Sequence, residues 1–323
     1  MKKILVIGGT GFLGYHTIEE LLEKKYSVVS ISLPPIPSET LFEGKDVENI
    51  LADVNTLKDE QLLKIMNEVS GVIYAIGSDE RVLPNAPAFQ YYYQENVLPT
   101  QRIAHLASKA GVEKFVVFGS YYSEFSERMP DLYLEDEPYA KARLLQEELA
   151  FAEGEGTMHV MSLRLPYIFG TMPGRESIWK AYVERIRGKK MVPSLPGGTA
   201  MVTAKQVAQA AVGALENGVH RKTYAISGIN MKYHVFYEMI VEALGQSKFT
   251  SVPVIPLAMA IETYEDLDQE ASLQGKEHGI HMVTVARIEE KDFYIDPFEA
   301  MEALGYEEDN VLKTIRETLK SCI

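Results

Sequence analysis

Cysteine is almost absent from this chain of 323 residues: the only one, Cys322, has no partner for an intramolecular disulfide, which points to a reducing, cytoplasmic setting. Positive charge is scarce as well. With 32 Lys and Arg against 46 Asp and Glu, the net charge of -14 repels a phosphate backbone and argues against a nucleic-acid partner, an RNA-associated role included. No apolar run approaches the roughly 18 residues that span a bilayer, so no membrane partner is expected. The early run from Ile4 to Ile7 ends at Gly8 and is too short for the core of a signal peptide. No metal is expected either, because Glu277-His278-x-x-His281 lacks the His-Glu-x-x-His order of a zinc helix and no third ligand accompanies it. Neither an internal repeat nor a low-complexity tract is visible. What is present in quantity is apolar side chain, 46% of residues, enough for one large domain with a smaller partner.

Short apolar runs alternate with helical stretches through the first half. Strands are predicted at Lys3–Ile7, Ser27–Ser32, Asn49–Ala52, Gly71–Ala75, Lys114–Phe118 and Val160–Leu165. Helices are predicted at Phe12–Lys24, at Asp59–Asn67 with Thr56 as its cap, at Ala88–Ala110 and at Pro138–Ala152. This alternation predicts an α/β fold, a doubly wound, mostly parallel sheet over residues 1–165. Within Ala88–Ala110, Pro99 cannot donate to the carbonyl of Glu95, so that helix should bend or loosen there. After Leu165, turns such as Gly170-Thr171-Met172-Pro173-Gly174 separate helices at Ser177–Arg187, Lys205–Glu216, Tyr233–Leu244 and Asn310–Lys320. Residues 166–323 are read as a smaller substrate-binding region, parts of which pack back on the first domain. Val254 to Ile288 carries no readable pattern.

Gly8-Gly9-Thr10-Gly11-Phe12-Leu13-Gly14 follows a strand and opens an amphipathic helix, the two structural conditions for a dinucleotide fingerprint. Gly9 and Gly11 allow a tight turn and close approach of a diphosphate, while Gly14 lets helix and strand pack closely. The helix N-terminus then offers free amides and positive dipole to the phosphates. A Rossmann-type domain holding NAD or NADP follows as the expectation, with Ala75 at the end of the fourth strand beside the cofactor. At the end of the second strand stands Ser32 rather than an acid that would hold ribose hydroxyls or an arginine that would attract a 2′-phosphate, so the choice of cofactor stays open. Asp53, before Val54, either accepts a hydrogen bond from the adenine amino group or caps a loop.

With these residues the chain resembles an extended short-chain dehydrogenase/reductase of the NAD-dependent epimerase/dehydratase family. Gly8 to Gly14 matches that family's glycine turn, Asp53-Val54 its acid after the third strand, and Asn96-Val97-Leu98-Pro99-Thr100 its asparagine helix. Ser120 falls where the family's serine or threonine follows the fifth strand; Leu163 to Gly170 resembles the sixth-strand segment and Met301 to Tyr306 the C-terminal leucine-glycine-tyrosine segment. The resemblance implies a tyrosine that moves a proton at a substrate hydroxyl, activated by a lysine one helical turn later. Tyr139 is the tyrosine in place, but its fourth neighbour is Arg143, which keeps the charge and changes the geometry, while Lys141 lies two residues on and points away. On this reading Tyr139 is the acid/base, Arg143 its electrostatic partner and ribose contact, Ser120 the group that orients the substrate oxygen, and Asn96 a structural relay. Each also has a purely structural alternative: a helix-surface pair, a cap serine, an asparagine beside a proline kink.

On the substrate side the family's helix-opening acid pair is replaced by Val202-Thr203-Ala204-Lys205, and Tyr167 stands where many sugar-nucleotide members carry asparagine. Arg185, Arg187, Lys189 and Lys190 either grip a diphosphate or form a solvated helix end. The expected function is an NAD(P)-dependent oxidoreductase or epimerase acting on the alcohol-carbonyl pair of a small polar substrate, a nucleotide sugar among the candidates. A dinucleotide-binding regulator with a degenerate site is the rival reading. The resemblance further implies a homodimer built through the helices Ala88–Ala110 and Pro138–Ala152.

Overall fold

The computed structural model describes residues 2–323. In chain order the first nine strands are β1 (Lys3–Ile7), β2 (Ser27–Ser32), β3 (Val47–Leu51), β4 (Gly71–Tyr74), β5 (Lys114–Ser120), β6 (His159–Leu165), β7 (Tyr167–Phe169), β8 (Gly198–Thr203) and β9 (Thr223–Ala225). Seven of them form one sheet in the order β3-β2-β1-β4-β5-β6-β9, with every neighbouring pair parallel. The fold is therefore a Rossmann-like α/β architecture. The direction of winding reverses between β1 and β4, which opens a crevice beyond their carboxyl ends, the place where such sheets hold ligands.

Both faces of the inner strands are buried, so β1, β4 and β5 read as near-continuous apolar runs rather than alternating ones. Leu5, Ile7, Val29 and Ile31 face one core, and Ile4, Val6 and Val28 face the other. The helices, in chain order, are α1 (Phe12–Glu23), α2 (Asp59–Met66), α3 (Ala88–Tyr92), α4 (Leu98–Lys109), α5 (Tyr121–Arg128), α6 (Pro138–Gly154), α7 (Lys180–Ile186), α8 (Ala204–Asn217), α9 (Tyr233–Ala243), α10 (Ile261–Leu273), α11 (Met282–Glu289), α12 (Pro297–Leu304) and α13 (Val311–Lys320). Helices α2, α4 and α6 cover the first face, and α1, α8 and α12 the second. In α1 the buried Gly14, Thr17, Ile18 and Leu21 recur at helical spacing, which lays one stripe on the sheet.

Several elements depart from the sequence-based boundaries for identifiable reasons. The helix predicted over Ala88–Ala110 is divided by a π-helical turn at Tyr93–Val97, which lies just ahead of Pro99 and absorbs the amide that proline lacks. The helix predicted from Ser177 begins at Lys180, because the Ser177 hydroxyl accepts from the Trp179 amide at 3.3 Å and holds the preceding residues in a turn. The stretch from Val254 to Ile288 contains α10 and α11. Residues beyond 165 return to the main sheet: β9 extends it, and α8 and α12 pack on it. The rest form a small second sheet, in which β8 lies between β10 (Ile229–Lys232) and β11 (Asp292–Phe293) and also pairs with β7, backed by α7, α9 and α13.

A charge cluster centred on the buried Arg164 and Glu147 fastens β6 to α5 and α6. Arg164, 2% exposed, donates to Glu147 at 2.9 Å, Glu124 at 3.0 Å and Glu127 at 2.7 Å, and Glu147 also accepts from the Ser162 hydroxyl at 2.7 Å. Among the described residues no helix is long and apolar enough to cross a membrane.

Candidate active site

The glycine turn is fixed first by its own backbone. Gly8 sits at φ +91°, its amide donates to Ile31 O at 2.8 Å, and its carbonyl accepts from the Gly11 amide at 2.9 Å. A Cβ on Gly14 would collide with the Gly8 carbonyl oxygen, so only glycine lets α1 start this close to β1. The Thr10 amide donates to the Ser32 hydroxyl at 2.9 Å, and Ser30 Oγ lies 3.2 Å from Ser32 Oγ. Ser32 thus braces the turn from the end of β2, and the next side chain, Leu33, is 64% exposed. The first amides of α1 have no partner within the helix and face the crevice. This cradle, too tight for side chains and rich in free donors, fits a dinucleotide diphosphate.

A cleft of about 630 Å³ runs from this cradle along the ends of β4, β5 and β6. It brings together Gly11, Phe12, Leu13 and Ala75 on the cofactor side with Ser120, Tyr139 and Arg143. Gly8, Gly9, Thr10 and Gly14 lie beneath it as the frame of the turn. Val54 is buried in the core against α2 and α4, and Asp53 caps its loop by accepting from the Asn55 amide at 2.9 Å. Both stand outside the cleft wall.

Tyr139 enters on the first turn of α6, where Pro138 occupies the opening position. The start of this helix is clasped by a distant segment. Glu137 accepts from the His281 amide and ring Nδ1, both at 2.8 Å, and from the Thr284 hydroxyl at 2.6 Å, while the Tyr139 amide donates to Gly279 O at 2.8 Å. His278, in turn, pairs with Asp268 at 2.9 Å, so both histidines of the Glu277–His281 stretch have carboxylate partners. The Tyr139 ring meets Tyr92 and Tyr122 edge-on at 5.3 and 5.9 Å. Burial pushes its phenol up to about 12, opposed by the Arg143 guanidinium and the Ser120 hydroxyl, which favour the phenolate; Glu80 and Asp79 act the other way.

Arg143 lies with its guanidinium carbon 5.6 Å from the Tyr139 ring centroid and donates from Nη2 to the Phe118 carbonyl. Its Nε is buried without a partner, an uncommitted donor on a residue that lines the cleft. Ser120, the last residue of β5, caps α5 by accepting from the Tyr122 amide at 3.3 Å and also faces the cleft. Capping and cleft-facing roles coincide in this one side chain. Asn96 does not line the cleft. It sits fully buried in the π turn, accepts from the Ser78 amide at 2.7 Å and donates to the Ser78 carbonyl at 2.9 Å, which fixes the loop after β4.

That loop carries residues the sequence reading passed over. Asp79 binds the Arg81 guanidinium through two bonds, one from Nε at 2.9 Å. Glu80 keeps some solvent contact at the mouth, yet it is surrounded deeply enough that its carboxyl is pushed up, with Asp79 adding to the effect. The facing wall is aromatic: Tyr121, Tyr167, Trp179 and Tyr182. Trp179 stacks on Phe169 at 4.4 Å and donates to Ile168 O at 2.8 Å, which sets its orientation. Arg185 stacks on Tyr182 at 5.1 Å from outside, Arg187 is engaged by Glu184, and none of the Arg185-to-Lys190 cations lines the cleft. Only the position of Tyr167, already notable in the sequence, signalled this wall.

Comparison with known proteins agrees with this geometry. The model of the NAD dependent epimerase/dehydratase family matches residues 4–227. A UDP-glucose 4-epimerase of Neisseria meningitidis serogroup C is 28% identical over 165 residues, 46% of this chain and 47% of the relative, so the match spans about half that relative's length. A decarboxylating sterol-4-alpha-carboxylate 3-dehydrogenase of Dictyostelium discoideum is 23% identical over 279 residues, 81% of this chain and 82% of the relative. Among solved structures, MoeE5 in complex with UDP-glucuronic acid and NAD shares the fold, with a TM-score of 0.66 at 20% identity over 99% of this chain and 98% of that one. With the glycine cradle, the parallel sheet and a family match over most of its length, the chain belongs to the NAD-dependent epimerase/dehydratase family.

Proposed function

We propose that this protein is an NAD(P)-dependent enzyme that interconverts an alcohol and a carbonyl on a small polar substrate, with residues 1–165 holding the cofactor and 166–323 shaping the substrate pocket. The observation that carries the reading is that the cradle, Ser120, Tyr139 and Arg143 share one cleft although they are scattered over more than a hundred positions. When bound, the nicotinamide supplies a hydride acceptor or donor. Tyr139 moves the proton at the substrate oxygen. Held near 12 by burial, its phenol is protonated at neutral pH, the form that donates to an oxygen gaining negative charge. Arg143 and Ser120 favour the phenolate and ease the reverse transfer. Ser120 orients the substrate oxygen, the guanidinium of Arg143, which lines the cleft, meets a ribose hydroxyl, and Asn96 positions the Ser78–Glu80 loop.

A nucleotide sugar is the substrate class we favour. It is supported by the names of the Neisseria epimerase and the MoeE5 complex, and by an aromatic wall suited to stacking on a ring. The test is turnover on a panel of sugar nucleotides, followed by nicotinamide absorbance in the near ultraviolet. Tyr139→Phe should lose about 10²- to 10⁴-fold in turnover with cofactor affinity intact; unchanged turnover removes Tyr139 from the chemistry.

We also propose a homodimer through α4 and α6, where Leu98 is 43% exposed and Leu145 and Leu149 are only partly covered. Sedimentation as a monomer at micromolar concentration would refute it.

A further inference from the structure

The segment from Gly170 to Arg175 leaves β7 and crosses the mouth of the cradle, touching both of its banks. Gly170 passes so close to α1 that a Cβ there would lie 3.2 Å from the Phe12 ring and 3.1 Å from Ala204 Cβ. Thr171 O lies 3.0 Å from His16 Nε2. Because a carbonyl only accepts, the imidazole must carry a proton on Nε2, and burial lowers the ring's pKa from its usual range. Met172 and Arg175 close a tight turn through an antiparallel bridge, and Met172 is buried. At the tip, Gly174 at φ +73° packs against the Pro37 carbonyl in the loop after β2, leaving no room for a side chain. The strap is thereby pinned to the helix on one side and to the adenosine-side loop on the other.

This path delivers Arg175 over the glycine turn. Its Nη1 lies 4.0 Å from where a Cβ of Gly11 would be, and it lines the same cleft. The side chain is exposed and has no ion-pair partner among the described residues. Every other arginine of the cleft is engaged: Arg81 by Asp79, and Arg143 by Phe118 O. An unpaired guanidinium held beside the cradle's amides matches the charge and the fork geometry of a diphosphate.

We propose that Arg175, carried on this strap, is a cofactor-binding residue that clamps the dinucleotide diphosphate from the side opposite the helix N-terminus. The proposal rests on the cradle holding that diphosphate. Each has its own readout in calorimetry on the full chain, wild type and Arg175→Gln, titrated with ADP-ribose, its 2′-phosphorylated form and adenosine. The expected result is that Arg175→Gln weakens both diphosphates by the same factor, about tenfold for an exposed charge-assisted contact, and leaves adenosine unchanged. Arg175→Lys should recover part of the loss, and the wild-type advantage should shrink as salt is raised. Equal affinity of wild type and Arg175→Gln for ADP-ribose overturns the clamp while leaving the cradle standing. A loss confined to the 2′-phosphorylated ligand, or shared by adenosine, overturns it too. Absence of ADP-ribose binding by the wild type removes the cradle reading itself, and the clamp with it.

Discussion

The two sides of the cleft are built on opposite plans. The cofactor side is a run of seven consecutive residues whose backbone makes the site, with glycines chosen for what their side chains would obstruct. The facing side is made of side chains, from Glu80 on one loop, Tyr121 at the start of α5, Tyr167 on a short strand and Trp179 and Tyr182 around a helix start. A backbone site depends on local conformation and tolerates little change anywhere in the turn. A side-chain wall depends on several elements docking correctly, and each member can be exchanged with limited effect on the others. A fold that recruits new substrates is expected to vary the second kind of surface and keep the first.

The severest way to break this comparison is to cut the joint that fastens β6 to α5 and α6, behind the side-chain wall. Arg164→Ala should leave Glu147, already pushed up by burial, with an uncompensated charge, at a cost of about 3–5 kcal/mol measured by denaturant unfolding. Next comes the cradle alone. Gly14→Ala drives a Cβ into the Gly8 carbonyl, and a loss of about 3 kcal/mol with weakened NAD binding is expected from unfolding and calorimetry. Asn96→Ala acts on the loop after β4: it strips both bonds from the Ser78 backbone and should cost about 1–3 kcal/mol, with a rise in substrate KM larger than any change in cofactor affinity.

The mildest test addresses the clasp on Tyr139's helix, where His281 faces Glu137, Glu277 and Asp268. The Glu137 hydrogen bond raises the His281 pKa above 6.5, so the folded state binds this proton more tightly than the unfolded chain does. Its stabilisation is full below pH 6.5 and fades as pH rises through the raised value. The melting-temperature gap between wild type and His281→Gln should therefore be widest near pH 6 and narrow as pH rises above it. A pH-independent gap would assign the clasp to the Glu137 bonds from Thr284 and the His281 amide alone.

Legibility followed the same division. Gly8 to Gly14 could be read because strand, turn and helix start are neighbours in sequence, and Asn96 with Pro99 announced a disturbed helix that proved to be a π turn. Ser120 and Tyr139 were named from the family resemblance, and both line the one cleft. Glu80 and Arg175 carried no such signal, since an acidic loop and a Gly-Arg turn are ordinary surface sequence until a sheet edge places them over a cleft. The Val254–Ile288 stretch was opaque for a related reason. Its helix α10 is mostly solvent-facing, with Ala271 its one buried residue, so it lacks an apolar stripe.

By itself the sequence determined the parallel sheet, the cradle and the order of the polar residues along the chain, because hydrophobic periodicity and glycine conformation act over a few residues at a time. The tertiary structure alone decided that Arg143 spends one donor on Phe118 O, that Glu137 is held by a segment over a hundred residues away, and that a strap lays Arg175 across the glycine turn. These are contacts between elements far apart in the chain, and they exist only once the packing of both cores has set the distances.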